Sequence, residues 1–349
     1  MQGNVDLLDC TLRDGGLGLE DSIKAGTGDA IFKEIQRKII LEHLLDSQIE
    51  IIEVGTVEET KKDMRNYAIY ESIDSISEIL PETEAKRPMY VAMFRGPDIE
   101  KNKIPVRKQG LLDGIRVILR YSELERSLEY CKMLSEKGYK VFLQPMLTMR
   151  YSDDELKKLI STANDIQACA LYIVDSYGYM NEYDIHRLFQ LYEEGLNQKT
   201  KIGFHAHNNM NLAYANAISF IKEHGNRNVI IDSCVTGMGQ GAGNLQTELI
   251  AYYLNTEYGK QYVYDDVLEI CEILEEIVPV RANTWGYSTM RMLPAIHKAA
   301  YKYAVAMRND FHMSYPEMNR LFGEMPYEMK QRFLKENLKE LIDMKGIIR

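Results

Sequence analysis

The 349-residue chain predicts an α/β fold: a TIM-type (β/α)8 barrel, residues 1–260, followed by a C-terminal helical extension, residues 261–349. Three observations predict it. Short β-rich runs alternate with stretches of helical period up to about residue 255. Several of these runs are continuously apolar, as parallel strands covered on both faces must be. Beyond about residue 260 the β-rich runs stop and only helical patterns follow. An open doubly wound sheet is the alternative. It prefers a glycine-rich dinucleotide turn after the first strand, and G-x-G-x-x-G is missing there.

The predicted strands are Val5–Cys10, Glu50–Val54, Met89–Phe94, Gly114–Leu119, Lys140–Met146, Ala170–Asp175, Lys201–His207 and Val229–Ser233. Each is followed by helix punctuation, and eight such units match a closed barrel. Ser122-Glu-Leu-Glu125 and Ser152-Asp-Asp-Glu155 have capping-box spacing. In that box a hydroxyl and a carboxylate satisfy amide donors that the first helical turn leaves free. Leu156, Leu159, Ile160 and Ala163 then repeat on one face. In the extension, Asp265–Ile277, Leu293–Ala306, Pro316–Phe322 and Tyr327–Lys345 read as helices. Pro294, Pro316 and Pro326 stand where helices would start, a place that tolerates a missing amide hydrogen.

Composition narrows the class. Forty-two basic against 52 acidic residues leave a net charge of −10, which argues against nucleic acid or anionic lipid as a partner. Five cysteines, without C-x-x-C spacing, imply neither a disulfide framework nor a thiolate zinc site. No stretch approaches the ~18 apolar residues that span a bilayer, and the first residues do not read as a secretory signal. The expectation is a cytoplasmic protein.

Three clusters fall at predicted carboxyl ends of strands, where barrel enzymes build their sites. Asp9-Cys-Thr-Leu-Arg13-Asp14-Gly15-Gly16 leaves strand one in the opening loop. Gly203-Phe-His205-Ala-His207-Asn208-Asn209 closes strand seven. Alternate residues of a strand share a face, so the two imidazoles project together and suit one metal ion. Thr236-Gly-Met-Gly239-Gln-Gly241-Ala-Gly243-Asn244 follows strand eight. Its Asn244 is placed to cap the next helix, to give an oxygen to the metal, or both.

Asp14, His205, His207 and Asn244 form an oxygen–nitrogen ligand set without thiolate. It favours Mn2+ or Mg2+ and leaves Zn2+ or Co2+ open. Such an ion chelates a 2-oxo acid and withdraws charge from its carbonyl, and Arg13 would stabilise the negative charge that develops. Arg116, Arg120 and Gln144, in or just after strands four and five, are candidates for substrate contact.

Leu12-Arg13-Asp14-Gly15, His205-Ala-His207-Asn208 and Gly239-Gln-Gly-Ala-Gly243-Asn244 resemble the signatures of the HMG-CoA lyase-like metal-dependent superfamily. The resemblance covers roughly residues 5–258 and is strongest to 4-hydroxy-2-oxovalerate aldolase-like proteins, down to Trp285-Gly-Tyr287-Ser. It implies carbon–carbon bond cleavage or formation next to a carbonyl, with pyruvate-like 2-oxo acids and aldehydes as small-molecule partners. It also implies a homodimer and leaves an aldehyde dehydrogenase-type partner open. Glu53 matches a family glutamate near the metal. One departure stands out: those aldolases carry a histidine base three residues after the metal aspartate, and here that residue is Leu17. Tyr287 is the first candidate to replace it, ahead of Glu53 and His297, with Cys234 and Asp175 further behind. His297 reads as structural. Three other functions remain at this stage: a Claisen-type acyltransferase using acetyl-CoA, a metal-binding subunit without catalysis and, ranked low because its two-histidine, one-carboxylate triad usually sits on an all-β scaffold, a ferrous oxygenase.

Overall fold

The computed structural model describes residues 3–81, 87–109, 111–279 and 284–344. Nine parallel strands form one sheet: β1 (Val5–Asp9), β2 (Ile51–Val57), β3 (Ile69–Tyr70), β4 (Met89–Phe94), β5 (Gly114–Leu119), β6 (Lys140–Pro145), β7 (Ala170–Asp175), β8 (Lys201–Ala206) and β9 (Val229–Ser233). Pairing of Leu8 with Ile51 and of Val5 with Val229 joins β1 to both β2 and β9 and closes eight of them into a barrel. The two-residue β3, which the sequence pattern does not announce, only prolongs the far end of β2.

Eight helices accompany the barrel: α1 (Thr11–Ala25), α2 (Glu34–Asp46), α3 (Ile73–Ser77), α4 (Leu124–Glu136), α5 (Asp153–Asp165), α6 (Glu182–Gly195), α7 (Ala213–Glu223) and α8 (Thr247–Tyr258). Six more follow among the described residues: α9 (Tyr264–Ile277), α10 (Thr289–Ile296), α11 (Lys302–Asn309), α12 (Tyr315–Glu324), α13 (Tyr327–Lys330) and α14 (Lys335–Met344). Val267, Ile270 and Leu274 of α9 belong to the barrel's apolar core, whereas a second apolar cluster begins at Leu293 and runs to Ile342.

Four local expectations are corrected. The segment after strand one is no loop, because α1 begins at Thr11 and carries Arg13 and Asp14 in its first turn. Ser122 caps nothing: Tyr121–Glu123 form a 3-10 turn, and Glu125 reaches Lys158 instead of turning back. Pro294 lies inside α10 rather than at its start. The predicted helices 293–306 and 327–345 each break into two, and Lys345 lies outside the described residues. Ser152 does form its capping box, accepting from the Glu155 amide.

The junction of β1 and α1 positions the site. Asp9 Oδ1 accepts from the Thr11 amide and Oδ2 from the Thr11 and Thr247 hydroxyls, each at 2.9 Å. Thr11 Oγ1 in turn accepts from the Val235 amide at 2.8 Å. Glycines inside α1 then let it lie close against neighbouring backbone. A Cβ on Gly16 would stand 2.0 Å from the Tyr67 carbonyl oxygen, and one on Gly18 2.7 Å from that of Gly239.

Candidate metal centre and active site

At the carboxyl ends of the strands, ligand atoms of Asp14, His205 and His207 lie within 4.8 Å of one another. Asp14 enters from the first turn of α1, His205 from β8, and His207 just beyond it. The two rings meet edge to face with centroids 5.0 Å apart, as their i, i+2 spacing predicts. His205 Nδ1 lies 2.9 Å from Asp232 Oδ2, and its Nε2 faces Asp14 Oδ2 at 3.4 Å. His207 Nδ1 lies 2.9 Å from the Asp175 carbonyl oxygen. A carbonyl oxygen only accepts, so His207 must donate from Nδ1 and keep the Nε2 lone pair free. Fixing the outer ring nitrogen in this way is how proteins orient metal-binding imidazoles.

Asn244 lies beside the group. Its Nδ2 donates to Asp14 Oδ2 at 3.1 Å and to the Met238 carbonyl at 2.9 Å, while its buried Oδ1 has no hydrogen-bond partner among the described residues. It does not cap α8, whose N-cap is Gln246. Two orientable imidazoles, a carboxylate and a leftover buried amide oxygen fit a divalent cation of intermediate hardness.

Beneath lies a network of buried charges. Glu53 Oε2 accepts from Arg13 Nε at 2.6 Å and from Arg116 Nη1 at 2.7 Å. Arg13 also pairs with Asp14 at 3.0 Å, and Arg116 with Asp232. Tyr172 donates to Asp232 Oδ1 at 2.9 Å and carries the Arg116 guanidinium 5.0 Å from its ring centroid. Room for that ring exists because residue 203 is glycine, where a Cβ would stand 2.4 Å from Tyr172 Cε2. Burial pushes the Asp14 and Asp232 carboxyls up, but Arg13 beside the first and Arg116 beside the second hold both below the usual carboxylate range. Burial drives the His207 imidazole down to about 4, with the charge of His205 adding to the effect. His207 is therefore neutral, as a ligand must be.

A cavity of about 580 Å3 opens over this cluster. Arg13, Asp14, Leu17, Gln144, His205 and His207 line the barrel side, and Ala299–Lys302 with Gln331–Phe333 close it from the extension. Not every predicted site residue reaches it. Glu53 and Arg116 are fully buried and do not line it, held by their ion pairs to Arg13, Asp232 and each other. Gln144 lines the cavity and, with its amide oxygen turned inward, accepts from Arg116 Nη2 at 3.1 Å. Arg120 turns away to Asp98 and Glu123.

Tyr287 is 56% exposed and does not line the cavity. Trp285 takes the buried place, donating from Nε1 to the Thr236 carbonyl at 3.0 Å, and Gly286 turns the chain at φ 99° before Tyr287. His297 stacks on Phe322 and bonds Asn319, in keeping with its structural reading. The Asp175 carboxylate serves the Tyr179 and Met180 amides. Cys234 packs against Cys10 with sulfurs 3.5 Å apart, a meeting of distant cysteines that spacing does not reveal.

Asp232 was missed by sequence reasoning. The available signal was an acid inside the continuously apolar run Val229–Ser233, a place that tolerates charge only if it is paired. Tyr301, whose hydroxyl donates to Asp21 Oδ2 at 2.6 Å beside the cavity, gave no sequence signal.

The HMGL-like family model matches residues 4–277. The chain belongs to the HMGL-like family. That family is divalent-metal dependent, which accords with the ligand cluster of this HMGL-like barrel. Among curated relatives, 4-hydroxy-2-oxovalerate aldolase of Thermomicrobium roseum is 27% identical over 249 residues, 71% of this chain and 65% of that protein. A second, from Comamonas testosteroni, is 28% identical over 56% of this chain and 57% of its own length. The chain thus spans less than two thirds of the length of these relatives. Solved structures confirm the fold. A Bacteroides vulgatus chain, provisionally described as an aldolase N-terminal domain, superposes with a TM-score of 0.69 at 22% identity, over 90% of this chain and 99% of that one. The carboxyl transferase domain of Rhizobium etli pyruvate carboxylase gives 0.73 at 15% identity, over 99% of this chain and 61% of that one.

Proposed function

We propose that this HMGL-like barrel is a divalent-metal-dependent aldolase that cleaves or forms a carbon–carbon bond next to the carbonyl of a pyruvate-like 2-oxo acid, with an aldehyde as the second small molecule. The observation that carries the reading is the Asp14–His205–His207 cluster opening, beside the buried Arg13, into a single cavity. Asp14, His205 and His207 would hold the ion, with Asn244 behind them, and Mn2+ or Mg2+ suits the set best. When bound, the ion supplies positive charge at the substrate carbonyl.

The chain's own residues do the rest. Arg13, locked by Glu53 and Asp14, presents its guanidinium where negative charge builds on the oxo acid. The Gln144 amide faces the same space and orients the substrate's polar end. In the forward aldol step the donor methyl loses a proton, the new carbon–carbon bond forms, and the aldehyde oxygen gains a proton. Leu17 carries no exchangeable proton, and Tyr287 stands outside, so we assign the relay to Tyr301. The Tyr301 oxygen accepts the methyl proton as its own hydroxyl proton passes to Asp21, and the two moves reverse when the new alkoxide is protonated, so the hydroxyl, which burial and Asp21 push above the usual range, is protonated before and after the step. We take residues 1–260 as the catalytic barrel and residues 261–349 as the extension, whose segments 299–302 and 331–333 close the cavity. No described helix is long and apolar enough to cross a membrane. A cytoplasmic location and the homodimer that the family resemblance implies are part of the proposal.

The test is an aldol assay with pyruvate and a panel of aldehydes, with and without Mn2+. Mn2+-dependent turnover is expected, and Asp14→Asn should lose both Mn2+ binding and turnover. No turnover with any aldehyde, together with unchanged metal content in Asp14→Asn, overturns the reading. Thiol release from acetyl-CoA in the same assay would move the assignment to the acyltransferase class.

A further inference from the structure

Next to the proposed active site lies a second cavity of about 440 Å3, between the far half of α1 and the extension helices α10 and α11. The two cavities share a wall of Gln240, Gly241, Tyr301, Lys302 and Phe333. Gln240 Nε2 and the Tyr301 hydroxyl both donate to Asp21 Oδ2 at 2.6 Å, and Lys302 Nζ lies 3.3 Å from Asp21 Oδ1. The partition is therefore side chains gathered on one carboxylate, not backbone.

Within this second cavity the charges pair off, with one exception. Lys302 answers Asp21, Lys335 answers Asp310 at 2.7 Å, and Lys24 answers Glu20 at 2.8 Å. Arg291 has no carboxylate among the described residues. It is only 8% exposed, and its one side-chain bond among the described residues runs from Nη1 to the Gly286 carbonyl at 2.9 Å. A buried guanidinium without an anion is costly, and the charge-assisted hydrogen bonds of a carboxylate or phosphate would offset that cost. Burial indeed lowers its pKa from the ordinary arginine value, with only the nearby Tyr301 opposing. The residue is also tied to the active site: Asn209, which lines the first cavity two residues past His207, donates from Nδ2 to the Arg291 carbonyl at 3.1 Å.

We infer that Arg291 and its cavity form a subsite for an anionic end group, carboxylate or phosphate, on the far end of the substrate whose reacting carbon sits at the Asp14–His205–His207 cluster. This rests on the aldolase reading and narrows it: the aldehyde is one that carries a remote negative charge. Such a molecule reaches past Tyr301 and Gln240, with its charged end answered by Arg291 and its apolar stem along Phe333 and Val305.

Two measurements test it. Binding of inorganic phosphate and of glutarate to the full chain is followed by calorimetry in wild type, Arg291→Gln, Arg291→Lys and Val305→Glu, the last placing a competing carboxylate in the cavity without removing the arginine. At least one of the two anions should bind wild type, at least tenfold more weakly Arg291→Gln and Val305→Glu, with partial recovery in Arg291→Lys; the anion that binds identifies the end group. Absence of binding to wild type, or equal binding in all four proteins, overturns the subsite. Independently, kcat/KM for chain-matched aldehydes with and without a terminal anion should favour the anionic one at least tenfold, and Arg291→Gln should collapse that ratio. An anionic preference unaltered in Arg291→Gln overturns the proposal. If the anions bind as expected but no aldehyde reacts, the aldolase reading fails while the anion site stands.

Discussion

Replacing Asp232 by asparagine tests how the centre is supported. Its carboxylate accepts from three sides: Arg116 and His205 at Oδ2, and Tyr172 at Oδ1. An asparagine with its oxygen in the Oδ2 place keeps the first two and turns its amide toward the Tyr172 oxygen, which can accept. The shape survives and the charge does not. With His205 neutral, as a ligand must be, Arg13 and Arg116 face Asp14, Glu53 and Asp232, so two positive charges meet three negative ones and leave one net negative charge for a cation. The variant removes it. Because Arg116 keeps Glu53, the stability loss falls at the low end for breaking a buried pair, about 3 kcal/mol. Losing the carboxylate behind a ligand histidine weakens metal binding by roughly 10- to 100-fold. Urea denaturation without metal and Mn2+ titration calorimetry measure the two effects separately. If Asp232→Asn binds Mn2+ as tightly as wild type and unfolds at the same urea concentration, Asp232 neither orients His205 nor sets the charge of the site.

Other outcomes follow from single contacts. Gly16→Ala should cost about 2 kcal/mol, since overpacking against the fixed Tyr67 carbonyl outweighs the gain in helix propensity. Gly15→Ala should cost less, because its new Cβ meets the flexible Met238 side chain; equal urea midpoints for the two variants would contradict this. Burial pushes the Asp9 carboxyl up to about 6. Its contribution to stability is thus full below the unfolded value near 4 and is lost as pH rises through 6, about 3 kcal/mol in all. The difference in unfolding free energy between wild type and Asp9→Asn should fall by that order from pH 4 to 7, and a difference constant with pH refutes it. Leu17→His puts an imidazole on the cavity wall where the resembling aldolases carry their base. It should raise the Mn2+-dependent aldol rate at least tenfold, with a pH profile that rises near the histidine pKa, and an unchanged profile would show that residue 17 does not face the reacting atoms.

The barrel was legible because its cause is local. Strands buried on both faces read as near-continuous apolar runs, broken only by groups such as Arg116 and Asp232 that find a buried partner, so β4, β5, β7 and β9 announced themselves at their full extent. The clustering of Asp14, His205 and His207 was legible because strand ends carry barrel sites and because i, i+2 spacing alone puts His205 and His207 on one side. Local pattern did not show that Asp14 rides on a helical turn, since three glycines in six residues look like a loop until Tyr67 and Gly239 are seen pressed against them.

What only the tertiary structure decided is which groups meet across the barrel. Arg116, Glu53 and Asp232 lie on three different strands, and closure of the sheet makes them one buried cluster instead of substrate contacts. The same holds for Tyr287 and Tyr301: the turn at Gly286 sends one outward, while the packing of α11 on the mouth brings the other in. Periodicity along a chain assigns a side chain to a face. Its partner on the opposite wall depends on strand tilt, stagger and the docking of the extension, which are properties of the closed structure.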